Sequence, residues 1–274
     1  MVQQLAGIGK KERQKLAVVL KAQLPIITPK NSAALLKIDR KQAAQLLAQW
    51  AKKGWVFRIK QGVYIPVSLQ ADNAQVVADE PWVVAYALFE PGYIGGWSAA
   101  EYWDLTEQIF NSVMVFSTKK ATSSVLEFTG IKLTVKTILP KRLFGTKSIW
   151  INSQKVTVSD PSRTVIDAFN DPAVVGGIRM AMDILSRYLK SKDKNLSLLF
   201  DYAVQLNNAA VFKRLGFVFE QQHPSERALI KKMRGRLKSG YSQLDPATPS
   251  KTLVTSWRLW VPKSWKKGHL VDQS

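Results

Sequence analysis

Residues 39–66, DRKQAAQLLAQWAKKGWVFRIKQGVYIP, decide how the chain is read. Asp39 is a good helix N-cap, because its carboxylate can accept from the free N–H groups of the first turn. Gln42, three residues on, can close a capping box. Ala43, Leu47, Trp50 and Gly54 follow at spacings of four, three and four, one apolar face at helical period. Gly54 suits the left-handed conformation that ends a helix. Trp55, Phe57 and Ile59 then alternate with Val56, Arg58 and Lys60, and Gln61-Gly62 fits a hairpin turn before a return strand, Val63–Pro66. The polar side of the helix carries Arg40, Lys41, Gln42, Gln45, Gln49, Lys52 and Lys53, with no acid after Asp39. These side-chain types hydrogen-bond base edges and phosphates in a major groove. Such a helix followed by a basic ribbon fits the recognition helix and wing of a winged helix-turn-helix. Arg40, Lys41, Gln42, Gln45 and Gln49 are expected to face bases. Lys52, Lys53, Arg58 and Lys60 are expected to face phosphates or the minor groove. The plain alternative is an amphipathic helix whose basic face is merely solvated.

The upstream order favours the winged helix. Lys11–Gln23 reads as a helix, Ile26–Thr28 as an extended link, and Lys30–Lys37 as a short helix with Thr28 as cap and Pro29 at its first position. Helix, short helix, tight turn, helix and hairpin then follow within about 65 residues, the order of that motif.

Composition points the same way. Forty Lys+Arg against 20 Asp+Glu give the 274-residue chain a formal charge of +20. That implies a polyanionic partner, with nucleic acid ahead of an anionic membrane surface. Residues 1–78 hold 13 basic and 3 acidic residues, 79–220 hold 16 and 14, and 221–274 hold 11 and 3. A nearly neutral middle lies between two basic ends, which suggests polyanion contact at two places. No apolar run approaches the ~18 residues of a spanning helix, and no signal peptide is evident. Cysteine is absent, so there is no thiolate metal site or disulfide framework. A cytoplasmic protein without membrane contact is expected.

Residues 67–80 are small and polar and read as a linker. Helices are expected from Pro81 and from a Ser98 cap with Glu101 as its capping-box partner, with Trp97, Tyr102 and Trp103 packed in the core. Ser112–Ser117, Val125–Phe128, Ile131–Ile138 and Ser148–Val158 read as a meander or small sheet. Helices follow from Asp160, over Ile178–Tyr188, over Asn195–Asn207, and over Ala209–Phe219 with Gly216 interrupting or ending it. His223–Lys238 is a basic helix and Leu253–Val261 a terminal strand. Trp257, Trp260 and Trp265, interleaved with cations, suit either base stacking or core packing. The expected fold is α+β: a winged helix-turn-helix over 1–78, then a larger mixed α/β domain over 79–274. That domain carries a small, mainly antiparallel sheet and a basic tail over 221–274.

Enzymatic motifs are not evident. The two histidines, His223 and His269, lie far apart in sequence. Asp104 lacks the neighbouring acid that two-metal chemistry needs, and no acid precedes Lys132 or Lys136 at nuclease spacing. Asp160 and Asp167 read as a helix start and as a surface or core polar anchor. No cofactor, metal or catalytic residue is expected.

The motif order resembles the AbiEi family of antitoxins, of type IV toxin–antitoxin and abortive-infection systems. The stretches that carry it are RIKQGVYIP, YIGGWSAAEYWDLTEQ, VSDPSRTVIDAFNDPAVVGGI and FKRLGFVFE, with the tail YSQLDP…SWRLWVP. The resemblance implies an N-terminal winged helix that represses its own operon. It also implies a C-terminal domain that neutralises a co-encoded, nucleotidyltransferase-like toxin without a stable complex. The strongly basic tail departs from the pattern. The expected partner is therefore double-stranded operator DNA, which is often an inverted repeat for this motif. Two other readings are a transcription factor whose C-terminal domain binds a ligand or oligomerises, and a divergent nucleic-acid-processing enzyme.

Overall fold

The computed structural model describes residues 9–67, 80–121, 123–128 and 130–267. Most of the expected linker, the boundary after residue 78, and His269 lie outside these residues. The chain is mixed α and β. Its contacts form two units that interleave in sequence, whereas the sequence reading places a single cut after residue 78. One unit holds Met1–Gly92, Asn111–Thr137 and Ser148–Val156; the other holds Tyr93–Phe110, Ile138–Lys147 and Thr157–Ser274.

In the first unit, α1 (Lys10–Lys21), α2 (Pro29–Leu36) and α3 (Arg40–Lys52) precede a hairpin of β1 (Val56–Lys60) and β2 (Val63–Pro66). The reciprocal cap is at α2 rather than at Asp39: Thr28 N donates to Asn31 Oδ1 at 2.7 Å and Asn31 N to Thr28 Oγ1 at 3.3 Å. Next comes α4 (Pro81–Phe89), whose Val83, Val84, Ala85, Leu88 and Phe89 are buried. Two short elements, β3 (Gly92–Ile94) and α5 (Gly96–Tyr102), lead towards β4 (Val113–Ser117), β5 (Val125–Phe128) and β6 (Ile131–Thr137). Every residue of β4 is buried, and Ser117 Oγ ties it to the Phe89 carbonyl of α4 at 2.6 Å.

The sheet corrects the expectation of a mainly antiparallel meander. β5 and β6 form an antiparallel hairpin, but β4 runs parallel to β6 from Val113↔Leu133 to Ser117↔Thr137. A strand covered on both faces, as β4 is, suits parallel pairing better than a half-exposed meander. The single strand expected over 148–158 is two neighbours, β7 (Thr146–Ile151) and β8 (Gln154–Ser159). The chain reverses at Asn152 and Ser153, where φ is 45° and 64°, a conformation that polar Asn tolerates.

The second unit is built round α6 (Pro161–Asn170), whose residues Pro161 to Phe169 are all buried. Around it pack α5, α7 (Ile178–Lys190), α8 (Leu196–Leu206) and α9 (Ala209–Gln222). β3 pairs in parallel with β8 at Ile94↔Val158. The chain then forms α10 (Arg227–Arg234), β9 (Ser242–Gln243), β10 (Thr252–Val254) and β11 (Leu259–Val261), with the three strands in the order β10-β11-β9.

Three expectations fail in this unit. Ser98 is not a cap: α5 starts at Gly96, and Ser98 is buried inside it. Trp97 and Trp103 are half-buried and Tyr102 is exposed, so none is core; the helix ends at Tyr102, before its aromatic run is complete. Gly216 neither breaks nor ends α9. It lies mid-helix because the Trp257 indole packs against its Cα: a Cβ there would sit 2.0 Å from Trp257 Cζ3.

Candidate nucleic-acid interface

The geometry of α3 follows from its caps and its core face. The Asp39 carboxylate accepts from the N–H groups of Lys41 and Gln42 at 2.8 and 2.9 Å, satisfying two of the unpaired donors of the first turn. Ala43, Leu47 and Trp50 are fully buried. Gly54, with φ of 77°, turns the chain out of the helix, and Trp55 N bonds back to Trp50 O at 3.0 Å. The hairpin is therefore launched directly from the helix end.

The hairpin is held in place twice. Ile27, in the link between α1 and α2, exchanges backbone hydrogen bonds of 2.7 and 2.8 Å with Tyr64 of β2. Val19, Ile27, Leu47, Trp50, Trp55, Val56 and Tyr64 share one apolar core, so helices and hairpin bury their apolar faces together. Burial on this scale, at about 1.5–3 kcal/mol per large side chain, holds the exposed faces in a set orientation.

Arg40, Lys41, Gln42, Gln45, Gln49 and Lys52 are all exposed. At about 100° per residue, Lys41, Gln42, Gln45, Gln49 and Lys52 fall within an arc of roughly 100°, opposite the buried face. The three glutamines lie between lysines near the two ends of the helix. Arg40 is turned roughly 100° from Lys41 and stands off that face. Arg58 and Lys60 of β1 are exposed on the hairpin, and Lys60 Nζ also lies 6.0 Å from the Phe89 ring.

Lys53 departs from expectation. Its Nζ bonds Glu12 of α1 at 2.9 Å and lies 4.6 Å from the Trp55 ring. It braces α1 against the end of α3 instead of projecting towards a phosphate. Counting charges along α3 cannot reveal this, since Glu12 is 41 residues away. Two further exposed cations precede α3: Lys30 in the first turn of α2 and Lys37 in the turn before Asp39. A positive residue two places before an N-cap was the available signal for Lys37.

Asp160 and Asp167, two acids weighed for nuclease chemistry, are engaged in structure. Arg163 is almost wholly buried; its Nε donates to Asp167 at 3.0 Å, its Nη2 to Tyr93 Oη at 2.9 Å and its Nη1 to the Phe144 carbonyl at 3.2 Å. Tyr93 Oη donates to the other Asp167 oxygen at 2.9 Å. Burial raises the Tyr93 pKa well above its ordinary value, and the Asp167 charge adds to this. Burial works against the charge of Arg163, but Asp167 and Tyr93 outweigh it and hold its pKa above the ordinary value. Asp160 caps α6 through the Arg163 N–H at 2.8 Å and accepts from Tyr202 Oη at 2.7 Å. Asp167 is thus a core polar anchor. No group of three or more metal-ligating residues occurs among the described residues.

FKRLGFVFE is likewise structural. Arg214 donates to the carbonyls of Phe169 and Asn170 at the end of α6 and to Gln243. Burial, against the pull of Asp245, draws its pKa down to about 10. Lys213 Nζ holds the Gly240 carbonyl at 2.8 Å. Trp257 is fully buried and donates to Glu220 at 2.6 Å. Asp245 caps α7 by accepting from Ile178 N at 3.0 Å. The basic C-terminal stretch is therefore folded onto the second unit up to Trp265, and Trp257 and Trp265 are packing residues. Trp260 is half-buried beside Tyr241.

No described protein family and no curated protein matches the chain. Among solved structures, the RV2827C protein from Mycobacterium tuberculosis is similar, at 10% identity and a TM-score of 0.62 over 94% of each chain. That likeness extends over both units and concerns the fold alone. Among the described residues, no helix is long and apolar enough to cross a membrane.

Proposed function

We propose that the chain is a winged helix-turn-helix autorepressor that binds duplex operator DNA, and that it serves as the antitoxin to a co-encoded nucleotidyltransferase-like toxin. One observation carries the DNA part: Lys41, Gln42, Gln45, Gln49 and Lys52 share one solvent face of α3, beside a hairpin that bears Arg58 and Lys60. Glutamine side chains suit adenine edges in the major groove. Lysines at the margins, and cations on a flanking ribbon, suit phosphates. Capping, the buried Trp50 face and the Ile27–Tyr64 bridge support a rigid presentation of that face. The antitoxin part rests on the resemblance in motif order.

Fluorescence anisotropy on the DNA upstream of the gene, against a scrambled duplex of equal length, tests the DNA part. Tighter binding of the upstream duplex by tenfold or more is expected, with a footprint over an inverted repeat. Equal affinity for both duplexes overturns it. Co-expression with the adjacent reading frame tests the antitoxin part: restored growth supports it, and failure to restore growth at verified expression sinks it.

A further inference from the structure

Arg227 to Gly240 contains six cations and no acid. Two buried side chains, Leu229 and Met233, fasten α10 to its unit, and Arg227, Lys231, Lys232 and Arg236 remain exposed. A groove of about 300 Å³ runs along this helix, lined by Glu220, Pro224, Arg227, Ile230, Lys231 and Arg234. Its acid, Glu220, is neutralised by Arg234, which also stacks on Trp257 at 5.0 Å. The neighbouring acid, Glu226, lies 3.6 Å from Lys194 in the α7–α8 connection. Burial lowers the His223 pKa; Glu226 opposes this, and Lys194 and Lys190 add to it.

We propose that α10 and the turn after it form a second, sequence-independent binding surface for the phosphate backbone of duplex DNA. It goes beyond the operator reading of α3 and shares with it only the premise of a duplex partner. An eight-residue helix is about 12 Å long, matching three to four successive phosphates of one strand at about 3.4 Å of rise each. A bilayer is a poorer fit, because Leu229 and Met233 are buried and the half-buried Ile230 is the one bulky apolar side chain α10 has left at the surface, too little to anchor a helix in lipid. A run of lysines and arginines with no Asn, Gln or carboxylate among them suits a uniform polyanion contacted through its phosphates.

The test measures binding of the full chain to a random-sequence duplex from 50 to 300 mM salt. Replacing Arg227, Lys231, Lys232 and Arg236 by Gln is expected to lower the log–log salt slope by about 3.6, with the preference for upstream DNA over random DNA retained. An unchanged slope overturns the proposal. So does a loss confined to a matched RNA duplex, an acidic peptide or anionic vesicles. Glu226→Gln guards against misfolding, since it should tighten random-duplex binding about twofold; no tightening counts against the surface. Changing Gln45 and Gln49 to Ala separates the two readings: it is expected to abolish the preference yet leave the α10-dependent slope. A preference that survives removes the operator reading and leaves the α10 result standing.

Discussion

Gly216→Ala puts a methyl group where the Trp257 indole lies. In an open helix the change would stabilise by about 1 kcal/mol, because alanine is the better helix former. Here the added Cβ would fall 2.0 Å from Trp257 Cζ3, 2.2 Å from Cη2 and 2.8 Å from Cε3. Carbon atoms pack at about 3.5–4.0 Å, so the ring must retreat by roughly 1.5 Å. It has nowhere to go without losing burial, since Trp257 is fully enclosed and its Nε1 holds Glu220 at 2.6 Å. Overpacking costs about 1–3 kcal/mol, and a hydrogen bond to a charged group about 1.5–3 kcal/mol. After the gain in helix propensity, the net loss is about 2–4 kcal/mol. At about 2–4 °C per kcal/mol for chains of this size, Tm falls by roughly 4–16 °C. The decisive experiment is a double-mutant cycle with Trp257→Ala, followed by urea denaturation and hydrogen exchange of α9. Once the indole is gone, Gly216→Ala should be neutral or stabilising, a coupling of about 3 kcal/mol. An identical cost of Gly216→Ala in both backgrounds would refute the reasoning.

Asp167→Asn leaves the Arg163 guanidinium buried without its counter-charge and should cost about 3–5 kcal/mol. Arg163→Met with Asp167→Leu should cost less than Asp167→Asn alone; urea midpoints decide, and a neutral Asp167→Asn contradicts the buried pair. Lys53→Gln removes a half-exposed brace and should cost less than about 1 kcal/mol, with the slope of DNA affinity against salt unchanged. A fall in that slope of about 0.9 would return Lys53 to the phosphate-contacting set. Burial holds the His223 imidazole below its ordinary pKa of 6.5. The unfolded chain therefore takes up that proton first, so stability is unaffected above about pH 6.5 and declines below it until the folded value is reached. His223→Gln should flatten this part of the Tm profile between pH 7.5 and 5; an unaltered profile contradicts the assignment.

What was legible in the sequence follows the range of the forces involved. The α3 cap, its apolar face, Gly54 and the Gln61-Gly62 turn are local signals, and each appears within a residue or two of its expected place. Exposure of the glutamines and of Lys41 and Lys52 follows from helical period alone. Long-range partners decide the rest. Nothing beside Lys53 announces Glu12. Nothing beside Gly216 announces Trp257, 41 residues later, so a mid-helix glycine reads as a break. Parallel pairing of β4 with β6 depends on what covers β4, which alternation cannot reveal. Within 221–274 the helix and the strand are local signals, but nothing there announces that Lys213, Arg214 and Asp245 stitch the stretch to α9 and α7. Arg40 shows the limit of charge counting on a helix: it is basic and exposed, but angular position removes it from the face.

The central claim is that α3 reads bases through its glutamines and holds phosphates through its lysines. Its most direct test is the ratio of affinities for upstream and scrambled duplexes, measured at one salt concentration for two paired variants. Gln45→Ala with Gln49→Ala should abolish the preference for the upstream duplex, since each lost base contact is worth about 1–3 kcal/mol of discrimination. Lys41→Gln with Lys52→Gln should weaken both duplexes alike and lower the salt slope by about 2. If the glutamine pair instead weakens both duplexes equally, or leaves the ratio untouched, the exposed face of α3 does not read sequence.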